Sequence, residues 1–134
     1  MTDQELMDRF ENGTLPNECF HHREHVRVAF LYLTKCPVLE ALQLFSKSLR
    51  RFAEAHGKPE LYHETITWAY VFLIWERMAR AGTNQSWDEF ALNNPDLLTW
   101  KGGILTRYYC AGTLTSDLAR AVFVLPDLRN LKPS

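Results

Sequence analysis

Three of the chain's five histidines fall within five residues, in Phe20-His21-His22-Arg23-Glu24-His25. His22 and His25 are three apart, so a helix puts them on one face. A later segment, Tyr62-His63-Glu64-Thr65-Ile66-Thr67, supplies His63. Three neutral imidazoles would hold a divalent metal and leave one position on zinc open for water, the arrangement of a hydrolytic site. Iron, nickel or manganese would take the same ligand types. In this reading His22, His25 and His63 are the metal ligands. Glu64 or Glu60 is a fourth ligand or general base, and Thr67 or Tyr70 orients bound water or substrate. The catalytic pair is then Glu64 and Tyr70, Thr67 is cofactor-binding, and the substrate is a small molecule.

Other readings compete. Histidines at helix starts are often satisfied by carboxylates and backbone, which needs no metal. His21-His22-Arg23-Glu24-His25 also has the H-x-x-E-H spacing of inverted zincins, but the structural context of that motif is missing and His21 falls off the apolar stripe. His56 precedes Gly57 and complements the end of a helix dipole. Cys110, after Tyr108-Tyr109, has no partner base and reads as a packed small hydrophobe. Trp68, Trp75, Trp87 and Trp100, with Tyr62, Tyr70, Tyr108 and Tyr109, line either a core or a pocket for a planar ligand. No P-loop, dinucleotide glycine motif or serine elbow occurs.

The elements that must position these residues are helices. A capping box, Thr2-Asp3-Gln4-Glu5, opens a short amphipathic helix through Leu6, Met7 and Phe10, ended by Asn12-Gly13. The next helix runs from 20 or 21 to about 34, with His22, Val26, Ala29 and Leu33 on one stripe and His25 at its edge. Cys36-Pro37 breaks it, and a third helix follows from 37 to about 56. A fourth, from about 60 to 81, is apolar over much of its circumference and reads as the central helix. Ser86-Trp87-Asp88-Glu89 caps a short helix to about 93. Further turns are expected at 97–100 and 104–109, with Gly102-Gly103 weakening any helix between them. A last short helix is expected at 118–122, then an extended tail over the body.

Short joints make consecutive helices antiparallel neighbours. The start of the second helix, the end of the third and the start of the fourth then share one end, which holds all five histidines. Counting at about 1.5 Å per residue leaves His22 and His63 roughly 6 Å out of level, and sets His25 level with Tyr70.

The bulk numbers bound the rest. The chain has 134 residues, 46% apolar and 23% charged, with a formal net charge of -1. That suits one helical domain over 1–134 and gives no field for nucleic acid or an anionic membrane. No apolar run is long enough to span a bilayer, and the N-terminus has no signal-peptide pattern. Three widely spaced cysteines suit a reducing cytoplasm.

His22-x-x-His25-Val26-Arg27-x-Ala29, Tyr62-His63-Glu64-Thr65-x-Thr67, Asn94-Pro95-Asp96-Leu97-Leu98, Tyr108-Tyr109 and Pro126-Asp127-Leu128 occur in that order. This set resembles a family of small uncharacterised bacterial all-helical proteins over roughly residues 20 to 129. The resemblance implies a bacterial origin and points to His22, His25, His63 and Thr67, but brings no activity. Cys110 stands where a Ser is usual. The layout is also similar to metal-binding bundles of the DinB/YfiT type, whose paired histidines are spaced differently.

The expectation is an all-α fold with an antiparallel three-helix core and short helices at both ends. The leading function is a small cytoplasmic metalloprotein acting on a small molecule. The alternative is a non-catalytic helical binding or assembly module, marked by an exposed apolar patch and imidazoles that point apart. A metal-free enzyme with His25 or His63 as general base is the third.

Overall fold

A computed structural model describes residues 1–82 and 84–128. Thr83 of the expected loop and the part of the expected tail past Leu128 lie outside the described residues. These residues form an all-α fold with no strand among them. Three long helices make the core: α2 (His22–Lys35), α3 (Val38–Ala55) and α4 (Glu64–Ala81). Around them pack α1 (Asp3–Glu11), α5 (Trp87–Asn93), α6 (Ala111–Leu114) and α7 (Asp117–Ala121), with single 3-10 turns at Asn17–Cys19, Pro59–Leu61, Pro95–Leu98 and Ile104–Arg107. No helix among the described residues is long and apolar enough to cross a membrane.

Local chemistry explains the boundaries. Thr2 Oγ1 accepts the Glu5 backbone N–H at 3.1 Å and opens α1. Ser86 Oγ does the same for Glu89 and opens α5. The fourth helix differs from expectation, beginning at Glu64 rather than near 60. Pro59–Leu61 forms a separate turn, and His63 is extended (φ -134°, ψ 112°) with its side chain capping the helix. Periodicity alone had drawn the cap into the helix. Gly82 closes α4 in the left-handed region at φ 68°.

The core is aromatic. Phe10 of α1 lies 4.9 Å from Phe20 and 5.7 Å from Phe52, so α1 closes over the α2–α3 seam. Phe30 of α2 meets Trp87 and Phe90 of α5 at 5.7 and 4.8 Å. Ala69, Val71 and Ile74 of α4 are buried between these layers.

The segment after α5 ties two core helices together. Arg77 of α4 donates to both Asp96 carboxylate oxygens at 3.1 and 2.7 Å, and to Asn94 Oδ1 at 2.8 Å. The Arg77 hydrogen bonds hold the Asp96 carboxyl below the usual carboxylate range. From the other side, the His22 imidazole donates to the Leu97 carbonyl at 2.8 Å. Gly103 lies so close to its surroundings that a β-carbon there would sit 2.8 Å from the Thr99 carbonyl oxygen and 2.9 Å from that of Trp100.

Residues 122–128 form an extended strap over α4, as the sequence suggests. The fully buried Thr65 hydroxyl donates to the Val122 carbonyl at 2.8 Å and accepts the Val124 N–H at 3.0 Å. Tyr109 donates to the Val124 carbonyl at 2.7 Å, and Phe123 stacks on Trp68 at 5.3 Å. Thr65→Val removes both bonds of the strap's central anchor. It should lower unfolding free energy by about 1–3 kcal/mol, with Thr65→Ser losing less, in urea titrations followed by tryptophan fluorescence.

Candidate functional site

The histidines are distributed among separate tasks. His22 is the first residue of α2. A carbonyl only accepts, so its bond to Leu97 puts the proton on Nε2 and leaves Nδ1 as the acceptor. The ring sits edge-on to Tyr70 at 4.9 Å and beside Trp100 at 5.1 Å. Burial lowers its pKa. His25 stacks on Phe20 at 4.0 Å. Its edge reaches the surface, yet burial, with smaller pushes from His22 and His21, drives its pKa down to about 3.

His63 has no unused nitrogen. Its Nδ1 accepts the Ile66 N–H at 3.1 Å, and its Nε2 donates to the Leu114 carbonyl at 2.7 Å. A neutral imidazole has one donor and one acceptor, and both are engaged. Burial holds its pKa below the ordinary value. His63 also lies seven residues, roughly 10 Å, along α4 from Tyr70, the α4 residue that His22 meets. Counting along parallel helices had paired His25 with Tyr70. The observed partner is one turn earlier, because residue counts fix neither the crossing of two helices nor the lean of each ring. His22, His25 and His63 are thus not brought together. Among the described residues no three His, Cys, Asp or Glu side chains are placed to hold a metal ion.

The residues expected around that centre have local partners as well. Glu64 Oε1 accepts from the Tyr62 hydroxyl and, at 2.9 Å, from the Trp68 indole, while Oε2 accepts from Arg50 at 2.8 Å. Three donors make this carboxylate a structural node rather than a free base. The Thr67 hydroxyl is buried and bonds back to the His63 carbonyl at 2.7 Å. The Tyr70 ring is buried, which pushes its pKa up to about 12. Glu60 offers its backbone carbonyl to Arg120.

The remaining motifs resolve locally. Glu24 Oε1 accepts the His21 backbone N–H at 2.9 Å, so the H-x-x-E-H spacing serves as a helix cap. His56 stacks on Phe52 and hydrogen-bonds the Leu15 carbonyl at 3.2 Å, a tie across the fold beyond the dipole role expected of it. Cys110 is exposed rather than packed, and its backbone N–H donates to Asp127 Oδ1. Thr113 donates to the other Asp127 oxygen, which pins the strap.

What the sequence had left unsorted is the aromatic set. Trp87 is core, Trp68 holds Glu64, Trp100 flanks His22, and Tyr62 lies under the Arg50 guanidinium at 4.6 Å. Trp75, Tyr108 and Tyr109 instead meet Phe72, Phe123 and Pro126 around a groove of about 470 Å³ along the outer face of α4. Trp75 is 45% exposed and Tyr108 37%. Phe123 was not singled out from the sequence, and Pro126 entered only through the closing Pro126-Asp127-Leu128 motif. The signal for the α4 part was Phe72-x-x-Trp75-Glu76-x-x-Ala79, an apolar stripe at helical spacing on the side away from the core.

Compared with protein-family models, curated proteins and solved structures, the chain matches none. Function is therefore argued from geometry.

The histidines give a pH prediction. Free imidazole protonates near pH 6.5, while folded His25 stays neutral to about pH 3. The unfolded chain then binds more protons in that window. Stability should be full above about pH 6.5 and fall as pH drops, by about 1.4 kcal/mol per unit from His25, with His22 and His63 adding in the same direction. Urea midpoints between pH 7 and 5 should show this decline, and His25→Phe should flatten it.

Proposed function

We infer that the protein is a helical binding module whose working surface is the aromatic groove along α4, and that its ligand is a small, planar, largely apolar molecule. The observation that carries this is the grouping of Trp75 and Tyr108, both part-exposed, with Phe72, Tyr109 and Phe123 around one concavity. Exposed large aromatics that gather rather than scatter mark a binding surface. A volume of about 470 Å³ lies in the range of small-molecule sites. Glu76 is the charged residue of the lining. It is paired with Arg80 at 3.2 Å, so the groove selects chiefly by shape and stacking.

The separation of the imidazoles supports the same reading. A histidine-held metal centre would require the ligating nitrogen of His63 to give up its bond to Ile66 or Leu114, and Thr67 or Glu64 to leave their partners if they joined it. Each such loss opposes the reorganisation, because a buried polar group left unpaired costs about 1–3 kcal/mol.

A naphthalene-sized ligand burying about 200 Å² of apolar surface gains about 5 kcal/mol, which corresponds to a Kd near 0.2 mM. Titration with the neutral fluorophore N-phenylnaphthylamine should therefore show saturable binding with tryptophan quenching. Ala79→Trp, which fills the groove, and Tyr108→Ala should each weaken it at least about tenfold. Leu118→Ala, exposed on α7, should leave it unchanged. Equal binding by the Ala79→Trp variant, or no saturable binding, would overturn the reading.

A further inference from the structure

The N-terminal part of α4 borders a second concavity of different chemistry. It lies between α3 and the first turns of α4, has a volume of about 490 Å³, and shares no residue with the aromatic groove. Its α3 wall is one stripe: Leu39, Leu42, Gln43, Ser46, Lys47 and Arg50. These positions follow the three- and four-residue spacing of a single helix face and extend over about 16 Å. Facing them are Glu64 and Trp68 of α4.

The stripe is graded. Its early end is apolar, with Leu42 buried and Leu39 exposed. Its late end carries two cations. Arg50 is held in place by stacking over the Tyr62 ring at 4.6 Å and by its bond to Glu64 at 2.8 Å. That bond uses one of five guanidinium N–H donors. Lys47 makes no ion pair among the described residues. The Glu64 charge at this end is already met by Arg50, Tyr62 and Trp68. Between the two ends the Ser46 hydroxyl is buried against the Tyr62 hydroxyl. The Lys47 ammonium and the remaining Arg50 N–H groups are the donors left for an anion.

We propose that this cleft is a second ligand site, taking a small anionic amphiphile whose oxyanion head meets Lys47 and Arg50 and whose apolar chain lies along Leu42, Leu39 and the Trp68 ring. Charge selects the head, and the roughly 16 Å of graded stripe sets the length of the chain at about ten carbons. The ligand class differs from that of the aromatic groove, and the proposal stands independently of it.

Calorimetric titration of the whole protein tests it, with decanoate, decyl phosphate, decanol and decyltrimethylammonium as probes. Decanoate and decyl phosphate should bind with one-to-one stoichiometry, weakening as salt is added. Decanol and the ammonium should bind at least about tenfold more weakly. Lys47→Gln, on an exposed residue, and Arg50→Gln should each weaken decanoate at least about fivefold. Leu92→Ala, exposed on α5, should leave it unchanged. Because Arg50 also holds Glu64, Lys47→Gln is the variant free of folding effects. Decanol binding as tightly as decanoate, parent-like affinity in Lys47→Gln, or no saturable binding at millimolar concentration would overturn the proposal.

Discussion

The start of α4 depends on one imidazole. His63 closes the first turn of the helix through Nδ1 and holds the end of α6 through Nε2, so a single neutral ring joins the central helix to the C-terminal third of the chain. The backbone N–H groups of a helix start must find partners, and burial leaves little water to supply them. A neutral ring with one acceptor and one donor meets that need, which a protonated ring would not. Burial, which lowers the pKa of His63, keeps it in the useful form. The neighbouring side chains work the same joint. Tyr62 and Glu64 anchor Arg50 of α3, Thr65 anchors the strap, and Thr67 bonds back to the His63 carbonyl.

This joint gives α4 two differently furnished flanks. The strap fastened by Thr65 carries Phe123 onto Trp68, and Phe123 is also a wall of the aromatic groove. Glu64, fixed by three donors, holds Arg50 at the edge of the α3 cleft. The polar residues nearest the helix start each have hydrogen-bond partners within the fold. That is why the apolar groove, and not the histidine cluster, is the better candidate for function.

Much of the fold was legible because it is set locally. The Thr2 and Ser86 caps, the break at Cys36-Pro37 and the apolar circumference of α4 all follow from residues within a few positions of each other. The 3-10 turn before α4 was missed because Pro59-Glu60-Leu61 continues the hydrophobic period into a residue, His63, whose capping role depends on its own ring. The helix at Ala111–Leu114 was missed because Gly112 and Thr113 carry little helical propensity, and Asp127 pins its first turn from fifteen residues or so away.

The candidate site was less legible for the same reason. Clustering of the histidines toward helix ends follows from connectivity, but the direction of each ring is decided by distant carbonyls: Leu97 for His22, Leu114 for His63 and Leu15 for His56. No spacing rule encodes those partners. The aromatic groove likewise joins Trp75 to Tyr108 and Phe123, far apart in the chain. The central claim, that His63 is a brace and not a ligand, is tested most directly by NMR of its imidazole nitrogens with and without added zinc. The account predicts a neutral ring protonated at Nε2, hydrogen-bonded at both nitrogens and unmoved by stoichiometric zinc. Coordination of zinc at either His63 nitrogen, with His22, His25 and His63 shifting together on one equivalent of zinc, would contradict it.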